Sequence, residues 1–342
     1  MASLMLEETR SAPRCVAAML QADTPAYDAL ARALRRHDPA FVVTVARGSS
    51  DHAALFLANL AGVVTGRITA SLPPSLITRY GAGLRFERSL VVALSQSGAS
   101  PDLVRTVEAA RAGGALTVAV VNQSNSALER TAAHFLPQHA GPERSVAATK
   151  SVIATMAVAA RLLTVWAGDR SLDEALAALP DRLEAALACN WSAALPVLAT
   201  ASGLYVVGRG PGLGVAAESA LKLKETSGVL AEALSAAEIQ HGPKAVIGPG
   251  FPVLVYALQD PGGRDAAAFA VDLAEAGAQV MVASHDAPGV GLVHLPLPLP
   301  LHPLLDPIVA LLAFYPLAEA LARARGRDPD HPPGLLKVTR TL

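Results

Sequence analysis

Two stretches of the chain repeat one pattern: Phe-Val-Val-Thr-Val-Ala-Arg-Gly-Ser at residues 41–49 and Leu-Tyr-Val-Val-Gly-Arg-Gly-Pro at residues 204–211. In each, a short apolar run leads into a turn that contains Arg-Gly, and an alanine-rich segment follows. Continuous apolar runs of this length are typical of strands that are covered on both faces of a parallel sheet. The two stretches therefore predict two copies of one α/β unit in tandem.

Strands and helices alternate along both halves, which is the pattern of a doubly wound parallel sheet flanked by helices. In the first half we predict strands at residues 40–46, 90–94 and 116–121, and helices at 51–61, 100–112 and 126–133. In the second half we predict a connecting helix at 171–187, strands at 203–207, 253–257 and 278–283, and helices at 214–228 and 262–276. The expected fold is α/β, with two domains at residues 1–168 and 169–342.

The composition excludes several classes of function. A net charge of -1 gives no electrostatic basis for binding nucleic acid or an anionic membrane. The two cysteines, Cys15 and Cys189, are far apart in sequence and form no metal or redox motif, which fits a reducing compartment. The first 14 residues lack the apolar core of a secretory signal. We therefore expect a cytoplasmic protein.

The two most apolar segments, residues 152–168 and 304–321, are interrupted by polar residues and prolines, among them Arg161 and Pro316. Neither offers the ~20 uninterrupted apolar residues that span a bilayer. We predict no membrane span. Alanine- and leucine-rich helices of this kind are instead expected between layers or subunits, so the chain is predicted to form an oligomer.

A polar turn, Ser-Gln-Ser-Gly-Ala-Ser-Pro-Asp, follows the second predicted strand at residues 95–102. The free N–H groups and the dipole of a helix N-terminus attract anions, and hydroxyl groups add further donors. Ser100 before Pro101 could be only an N-cap, but one serine is enough for a cap. The extra hydroxyls favour a phosphate ligand. Gly-Ser-Ser at residues 48–50 follows the first strand, at the same edge of the predicted sheet.

The second half differs at the equivalent turn, where residues 257–262 are Ala-Leu-Gln-Asp-Pro-Gly. The carboxylate of Asp260 would repel a phosphate. The glycines at residues 208–212 lack the spacing of a dinucleotide fingerprint, and the chain has no Walker motif. We therefore expect a small phosphorylated substrate that the first half binds, with no nucleotide, metal or other cofactor.

Charged residues are only 17% of the chain, yet they concentrate at residues 216–226 and 238–243. Glu218, Lys222 and Glu225 have helical spacing and share one face. One explanation is an ordinary solvated helix face with ion pairs. The other is catalysis, because His241 follows closely and can exchange protons near neutral pH. A carboxylate and a histidine are common groups for proton transfer in catalysis.

As an ordered set, these motifs resemble the sugar isomerase (SIS) family, and within it the isomerase half of glucosamine-6-phosphate synthases. The resemblance runs from about residue 40 to the C-terminus. Its further motifs are Gly-Pro-Glu at residues 141–143, Ala-Ala-Thr-Lys at 147–150, Gln-His-Gly-Pro at 240–243, Asp-Pro-Asp at 328–330 and Leu-Lys at 336–337.

The resemblance implies a role for each site residue. Glu225 would be the base that moves a proton between C1 and C2, with Lys222 as its partner on the helix. His241 would open the sugar ring, and Lys337 would form an imine with the open-chain ketose. Without the resemblance, His241 could be a loop residue and Lys337 a solvated lysine. The implied substrate-binding residues are Ser49, Ser50, Ser95, Gln96, Ser97, Ser100, Glu143 and Ala148, the last in place of a serine that helps to hold the sugar.

The resemblance also implies an activity. The synthases carry an N-terminal glutaminase domain, and only about 40 residues precede the first predicted strand here. We therefore expect the reverse reaction, in which glucosamine 6-phosphate and water give fructose 6-phosphate and ammonia. A deglycase that acts on fructosamine 6-phosphates and a non-catalytic sugar-phosphate sensor remain alternatives. The expected ligand is a hexosamine or hexose 6-phosphate, in a homodimer with the active site near the subunit interface. The epimer at C4, regulation by a second sugar, and the subunit that His241 serves stay open.

Overall fold

The computed structural model describes residues 2–337. Up to residue 177 the elements are α1 (Leu4–Gln21), α2 (Thr24–His37), β1 (Phe41–Val45), α3 (Ser49–Thr65), β2 (Ile68–Ser71), α4 (Ser75–Thr78), β3 (Ser89–Ser95), α5 (Pro101–Ala112), β4 (Leu116–Val121), α6 (Ala127–Thr131), β5 (His134–Pro137), α7 (Lys150–Ala167) and α8 (Arg170–Ala177). The remaining helices and strands are α9 (Leu179–Leu187), α10 (Leu195–Thr200), β6 (Gly203–Gly208), α11 (Gly212–Ser227), β7 (Leu230–Ser235), β8 (Pro252–Tyr256), α12 (Pro261–Glu275), β9 (Gln279–Ser284), β10 (Val293–Pro296) and α13 (Asp306–Ala324).

The first sheet has five parallel strands in the order β2-β1-β3-β4-β5. The direction of winding reverses between β1 and β3, and open α/β sheets bind ligands at such a switch point. Val45 of β1 pairs with Ala93 of β3. The turns that follow these two strands therefore leave the sheet side by side.

The second sheet has five parallel strands in the order β10-β9-β8-β6-β7. Counted from its own first strand, this is the strand order of the first sheet, and its switch point lies between β6 and β8. The predicted fold of two tandem, doubly wound α/β units is confirmed.

The chain divides into two compact units, one around each sheet. The first-sheet unit comprises Arg14–Glu143 and Lys150–Ala177, together with Leu336 and Lys337. The second-sheet unit comprises the chain up to Pro13, Arg144–Thr149 and Ala178–Leu335. The chain thus passes between the units several times, whereas the sequence-based expectation was one boundary at residue 168.

Carboxylates hold the outlying segments within the second-sheet unit. Asp330 accepts hydrogen bonds from the backbone N–H groups of Leu4 and Met5, both 2.8 Å long, and so caps the start of α1. Glu8 accepts hydrogen bonds from the backbone N–H groups of Arg144 and Ser145. Unpaired N–H groups at a helix start need such partners. The acidic tail motif at residues 328–330 therefore has a structural use that the sequence did not indicate.

Each sheet packs an apolar face against its own helices. In the first-sheet unit, Val45 and Val91 of the sheet pack with Val107 of α5 in one buried cluster. In the second-sheet unit, Val255 of the sheet packs with Phe269 of α12 in the equivalent cluster. Burial of this apolar surface is the main favourable contribution to folding and keeps each switch point rigid.

Two helices, α7 and α13, are long and apolar enough to cross a membrane by length and composition alone. In the structure, 83% of the α7 window and 78% of the α13 window are buried inside the protein. Burial in the protein core accounts for their apolar composition, as the sequence predicts for helices between layers.

The six strands predicted from sequence are the six inner strands, and the four that were not predicted, β2, β5, β7 and β10, are the edges of the two sheets. Most residues of these edge strands are exposed or half-buried, and polar residues or prolines interrupt their apolar runs. The predicted connecting helix at 171–187 is two helices, α8 and α9. The break falls at Ala178, where α9 starts with a proline in its first turn.

Candidate active site

The turn after β3 is built around Ser95 and Gly98. The Ser95 hydroxyl is buried and accepts a 3.0 Å hydrogen bond from the Gly98 backbone N–H. The Gln138 side chain donates a 3.1 Å hydrogen bond to the Ser95 carbonyl and anchors the end of the strand. Gln96 and Ser97 are half-buried. The turn is thus a fixed hydroxyl-bearing loop at the switch point.

Gly98 has φ of +60°, and a Cβ there would lie 2.5–2.7 Å from the side chains of Ser126 and Val121. No other residue fits without a shift of its neighbours. The close approach brings the loop against the start of α6, where Leu128 donates its backbone N–H to the Gly98 carbonyl at 3.0 Å. Glycine in the motif is therefore a packing requirement.

The helix that follows this loop, α5, begins without a side-chain cap. Ser100 occupies the N-cap position, yet its hydroxyl accepts no hydrogen bond from the first turn. Capping alone therefore does not explain this serine, and its half-buried hydroxyl remains a donor for a ligand at the helix N-terminus.

The turn after β1 joins the same site through an ion pair. Arg47 donates from Nε and Nη2 to Asp102 Oδ2 at 3.2 and 3.1 Å, and the Asp102 side chain is only 1% exposed. The pair links the turn after β1 to the start of α5 and leaves a half-exposed guanidinium on the turn that leads to Ser49 and Ser50, the first residues of α3. Sequence reasoning did not assign Arg47 a role, although a cation next to two hydroxyl-rich turns is what a phosphate requires.

Three charged residues of α11 form a connected, mostly buried row in the second-sheet unit. Lys222 Nζ lies 3.4 Å from Glu218 Oε1 and is hydrogen-bonded to Glu225. The side chains of Lys222 and Glu218 are 1% and 0% exposed, and that of Glu225 is 22% exposed. A solvated helix face is excluded, and of the three only Glu225 reaches solvent.

Lys222 stays charged in this buried position. Burial lowers the pKa of its ammonium group, but the charges of Glu218 and Glu225 raise the pKa by more, together with their hydrogen bonds, so the net shift is upward. A permanently charged ammonium beside Glu225 holds that carboxylate in a fixed place and orientation. The geometry therefore gives one solvent-accessible carboxylate with a buried counter-ion.

His241 lies at the end of a short 3-10 turn, Glu238–His241, and its side chain is exposed. Within residues 2–337, no hydrogen bond or ion pair connects its ring to Glu218, Lys222 or Glu225. Gly242 follows with φ of +143°, a conformation open to glycine and strained for other residues. The structure therefore places His241 on an exposed, sharply turned loop, away from direct contact with the charged row.

Glu143 and Lys337 meet in the first-sheet unit. The buried Glu143 carboxylate accepts hydrogen bonds from the Ser151 hydroxyl at 2.6 Å and the Ser151 backbone N–H at 3.1 Å. Lys337 Nζ lies 3.2 Å from Glu143 Oε2, and its side chain is 24% exposed. Lys337 is thus a fixed lysine rather than a solvated one. Ala148 is half-buried and lies in the second-sheet unit.

No group of three or more histidines, cysteines or acidic residues is arranged to hold a metal ion in the described part of the chain, residues 2–337. The site residues also offer no soft or imidazole ligand set. Their chemistry is that of hydroxyls, carboxylates, lysines and one histidine.

Comparison with known proteins gives consistent matches. The profile of the SIS domain matches residues 38–165 and 197–285. Glutamine–fructose-6-phosphate aminotransferase (isomerizing) from Aeropyrum pernix is 36% identical over 319 residues, which cover 87% of this chain and 50% of that protein. The chain spans about half the length of the curated relatives it matches.

Two solved structures extend the comparison. A protein from Silicibacter pomeroyi, provisionally described as a phosphosugar isomerase, is 39% identical with a TM-score of 0.91, over 96% of this chain and 100% of that chain. Glucosamine-6-phosphate deaminase from Thermotoga maritima is 20% identical with a TM-score of 0.77, over 99% of this chain and 100% of that chain. At that lower identity the likeness concerns the fold alone.

Proposed function

Because the chain belongs to the SIS domain family, we propose that it isomerises and deaminates an amino-sugar phosphate, converting glucosamine 6-phosphate and water into fructose 6-phosphate and ammonia. The observation that carries the proposal is the row of Glu218, Lys222 and Glu225 on α11. Burying charges costs free energy and contributes little to stability, so such a row has a use beyond folding. Aldose-ketose interconversion needs a fixed carboxylate of this kind.

In the proposed reaction Glu225 takes the proton from C2 of the open-chain sugar and returns a proton to C1, while O1 gains a proton and the C2 amine loses one. The C2 amine thereby becomes an imine. Water adds to this imine carbon, and ammonia leaves with the C–N bond, which yields the ketone. Lys222 keeps Glu225 in place, and His241 moves the proton from O1 to the ring oxygen when the ring opens.

The first-sheet unit has the binding role in this proposal. The hydroxyls of Ser50, Ser97 and Ser100 and the N-terminus of α5 supply neutral donors to a phosphate, and Arg47 supplies a positive charge. Ser49, Ser95 and Gln96 complete the set, with Ser95 acting through the loop that it holds. A phosphate group gives binding energy remote from the reacting carbons, which positions C1 and C2.

Lys337 and Glu143 are proposed to act on the open-chain sugar. Lys337 would form an imine with the ketone of fructose 6-phosphate, which releases one water, and hydrolysis of this imine returns the ketone and the free lysine. The lysine must lose a proton before it can attack the carbonyl. Glu143, at 3.2 Å, is the carboxylate beside it. We therefore assign Glu143 an indirect role, in which its carboxylate holds Lys337 in position for the sugar. Ala148 adds no polar group to the sugar, which leaves more of the orientation to the phosphate.

The relatives support the sugar-phosphate class and differ in the fate of nitrogen. The Aeropyrum pernix relative is named as an aminotransferase that uses glutamine, and the Thermotoga maritima protein as a deaminase. The charged row on α11 supplies isomerising chemistry, and water alone is enough to release the nitrogen from the imine, so we propose free ammonia as the product. We also propose a cytoplasmic homodimer, with the active site near the subunit interface.

The test is a coupled assay of the purified protein with glucosamine 6-phosphate that follows ammonia and fructose 6-phosphate together. Equal release of both products without glutamine supports the proposal. Turnover of 6-phosphofructoselysine alone would identify a deglycase instead, and synthesis of glucosamine 6-phosphate only with added glutamine would identify an aminotransferase. Binding of sugar phosphates without any turnover would indicate a sensor.

A further inference from the structure

A cavity of about 500 Å³ lies in the second-sheet unit, at the carboxyl ends of β8 and β9 and against α12. None of the predicted site residues lines it. Pockets that bind small molecules have volumes of roughly 300–1,000 Å³ and mostly apolar walls with a few polar groups. This cavity has both properties. Its apolar lining includes Ala257, Ala267, Ala270, Val271, Val282 and Leu292.

The polar groups at this cavity are few and of both signs. Arg264 lines it from the first turn of α12, and Asp286 lines it from the loop after β9. In the described part of the chain, Arg264 forms no ion pair and no side-chain hydrogen bond. Asp286 accepts one long hydrogen bond, 3.4 Å, from the Gln259 amide. Both charges are therefore available to a ligand.

His285 also lines the cavity, but its ring is engaged elsewhere. Its Nδ1 donates to the Pro298 carbonyl at 2.6 Å, and its Nε2 lies 3.5 Å from Asp306 Oδ2. The ring is 3% exposed and holds the loop after β9 in place. Arg264 and Asp286 are therefore the cation and the anion that could pair with charged groups of a ligand.

We propose that this cavity binds a free α-amino acid with an apolar or aromatic side chain. Arg264 would pair with the α-carboxylate through two parallel hydrogen bonds, and Asp286 with the α-ammonium. The apolar wall would enclose the side chain. A phosphate is disfavoured here because Asp286 would face its negative charge, and of the cavity's basic side chains in the described part of the chain only Arg264 is not already engaged within the protein. The site is independent of the proposed reaction.

The experiment is isothermal titration calorimetry of the full chain with L-phenylalanine and L-leucine. The analogues 3-phenylpropionate, phenethylamine and glycine lack the ammonium, the carboxylate and the side chain respectively. We expect at least one of the two amino acids to bind, and each analogue to bind at least about tenfold more weakly, since each loses a charge-assisted bond or the apolar contact.

Variants locate the site. Arg264→Ala and Asp286→Asn are each expected to weaken amino-acid binding about tenfold or more. Arg209→Ala, which removes an arginine of the same unit that does not line the cavity, and Asp272→Asn, an exposed acid of α12, are the matched controls and should leave binding unchanged. Ser97→Ala tests the phosphate loop and should also have no effect.

Three results would overturn the proposal. Neither amino acid binds at millimolar concentration, or 3-phenylpropionate binds as tightly as L-phenylalanine, or binding survives both Arg264→Ala and Asp286→Asn. The outcome of the deaminase assay neither supports nor contradicts amino-acid binding at this cavity, because the two sites share no residue.

Discussion

The two switch points of this molecule share a strand order and differ in one carboxylate. In the second-sheet unit, Asp260 precedes α12 and accepts hydrogen bonds from the backbone N–H groups of Gly262 and Gly263 at 3.1 and 3.0 Å. In the first-sheet unit, Ser100 precedes α5 and caps nothing with its side chain. Asp260 thus supplies from within the protein the negative charge that the first unit would accept from a ligand.

The helices that follow the first strand of each sheet differ in the opposite sense. The buried residues of α3 are all apolar, whereas α11 buries Glu218, Ser219, Lys222, Thr226 and Ser227. One copy of the fold therefore has a helix start without a side-chain cap and an apolar helix after its first strand. The other has a capped helix start and a charged helix after its first strand, and this difference supports the proposed division of binding and chemistry between the duplicated units.

The largest effect is expected on the charged helix. Lys222→Met removes the cation between Glu218 and Glu225 and leaves the fully buried Glu218 carboxylate without this positive charge, so we expect a loss of about 3–5 kcal/mol in the free energy of unfolding. The matched control is Lys224→Met, at an exposed neighbouring position, with an expected change within about 0.5 kcal/mol. Denaturant unfolding measures the stability of both variants. Equal stabilities would show that the buried Lys222 matters no more to folding than an exposed lysine of the same helix.

The second prediction compares two glycines with positive φ. Gly98→Ala meets Ser126 and Val121 at 2.5–2.7 Å, and we expect a loss of about 2–4 kcal/mol together with weaker phosphate binding. Gly210→Ala, with φ of +57°, has its nearest atom, on Asp260, at 3.6 Å, so only the backbone cost of about 1 kcal/mol applies. If thermal unfolding finds the same loss of stability at both positions, the side chains around Gly98 leave as much room for a Cβ as those around Gly210.

The third prediction separates a cap from a binding residue. Asp260→Ala should cost about 1–2 kcal/mol because two N–H groups of α12 lose their acceptor. Ser100→Ala should leave the stability of the ligand-free protein within about 0.5 kcal/mol and weaken binding of fructose 6-phosphate. Denaturant unfolding and calorimetric titration check the pair. A large stability loss in Ser100→Ala would make that serine an ordinary cap.

The smallest effect concerns Asn122 and His285, the residues that directly follow β4 and β9. Asn122 holds Ala140 and Gly141 with a neutral amide, and His285 holds Pro298 and Asp306 with an imidazole. Burial lowers the pKa of His285, but the nearby carboxylate of Asp306, the hydrogen bond to the Pro298 carbonyl and the charge of Asp286 raise it by more.

A raised pKa in the folded state stabilises the protein below the ordinary histidine pKa of about 6.5, and the contribution is lost as the pH rises through the raised value. The stability advantage of the wild type over His285→Gln should therefore be complete below about pH 6.5 and fall as the pH rises above it, by roughly 1 kcal/mol or less. The cost of Asn122→Ala should not change with pH. A histidine advantage that grows with pH would contradict the pKa direction.

The inner strands, the duplication and the hydroxyl-rich turn could be predicted from sequence because continuous apolar runs and clustered serines are local signals. The edge strands could not, since Ile68–Ser71 is mostly exposed and resembles a loop. The division of the chain into two units built from several separate segments could not be predicted either. It depends on contacts such as that of Asp330 with α1, which join residues more than 300 positions apart.

The candidate site was predictable in its residue types and less so in its contacts. Helical spacing placed Glu218, Lys222 and Glu225 on one face, but spacing does not distinguish a buried face from a solvated one. Two ion pairs of the site, Arg47 with Asp102 and Lys337 with Glu143, join residues that are far apart in sequence. No local sequence pattern predicts such partners. Asp260 was predicted to exclude phosphate by repulsion; the structure adds that it occupies the helix start itself.

In the proposed function the first-sheet unit binds the phosphate and the second-sheet unit performs the chemistry. The direct measurement is to determine turnover of glucosamine 6-phosphate and affinity for fructose 6-phosphate in parallel for Glu225→Gln and Ser97→Ala. We predict that Glu225→Gln loses about 10²–10⁴-fold in turnover with its affinity unchanged, and that Ser97→Ala loses affinity. Turnover near the wild-type rate in Glu225→Gln would contradict the account.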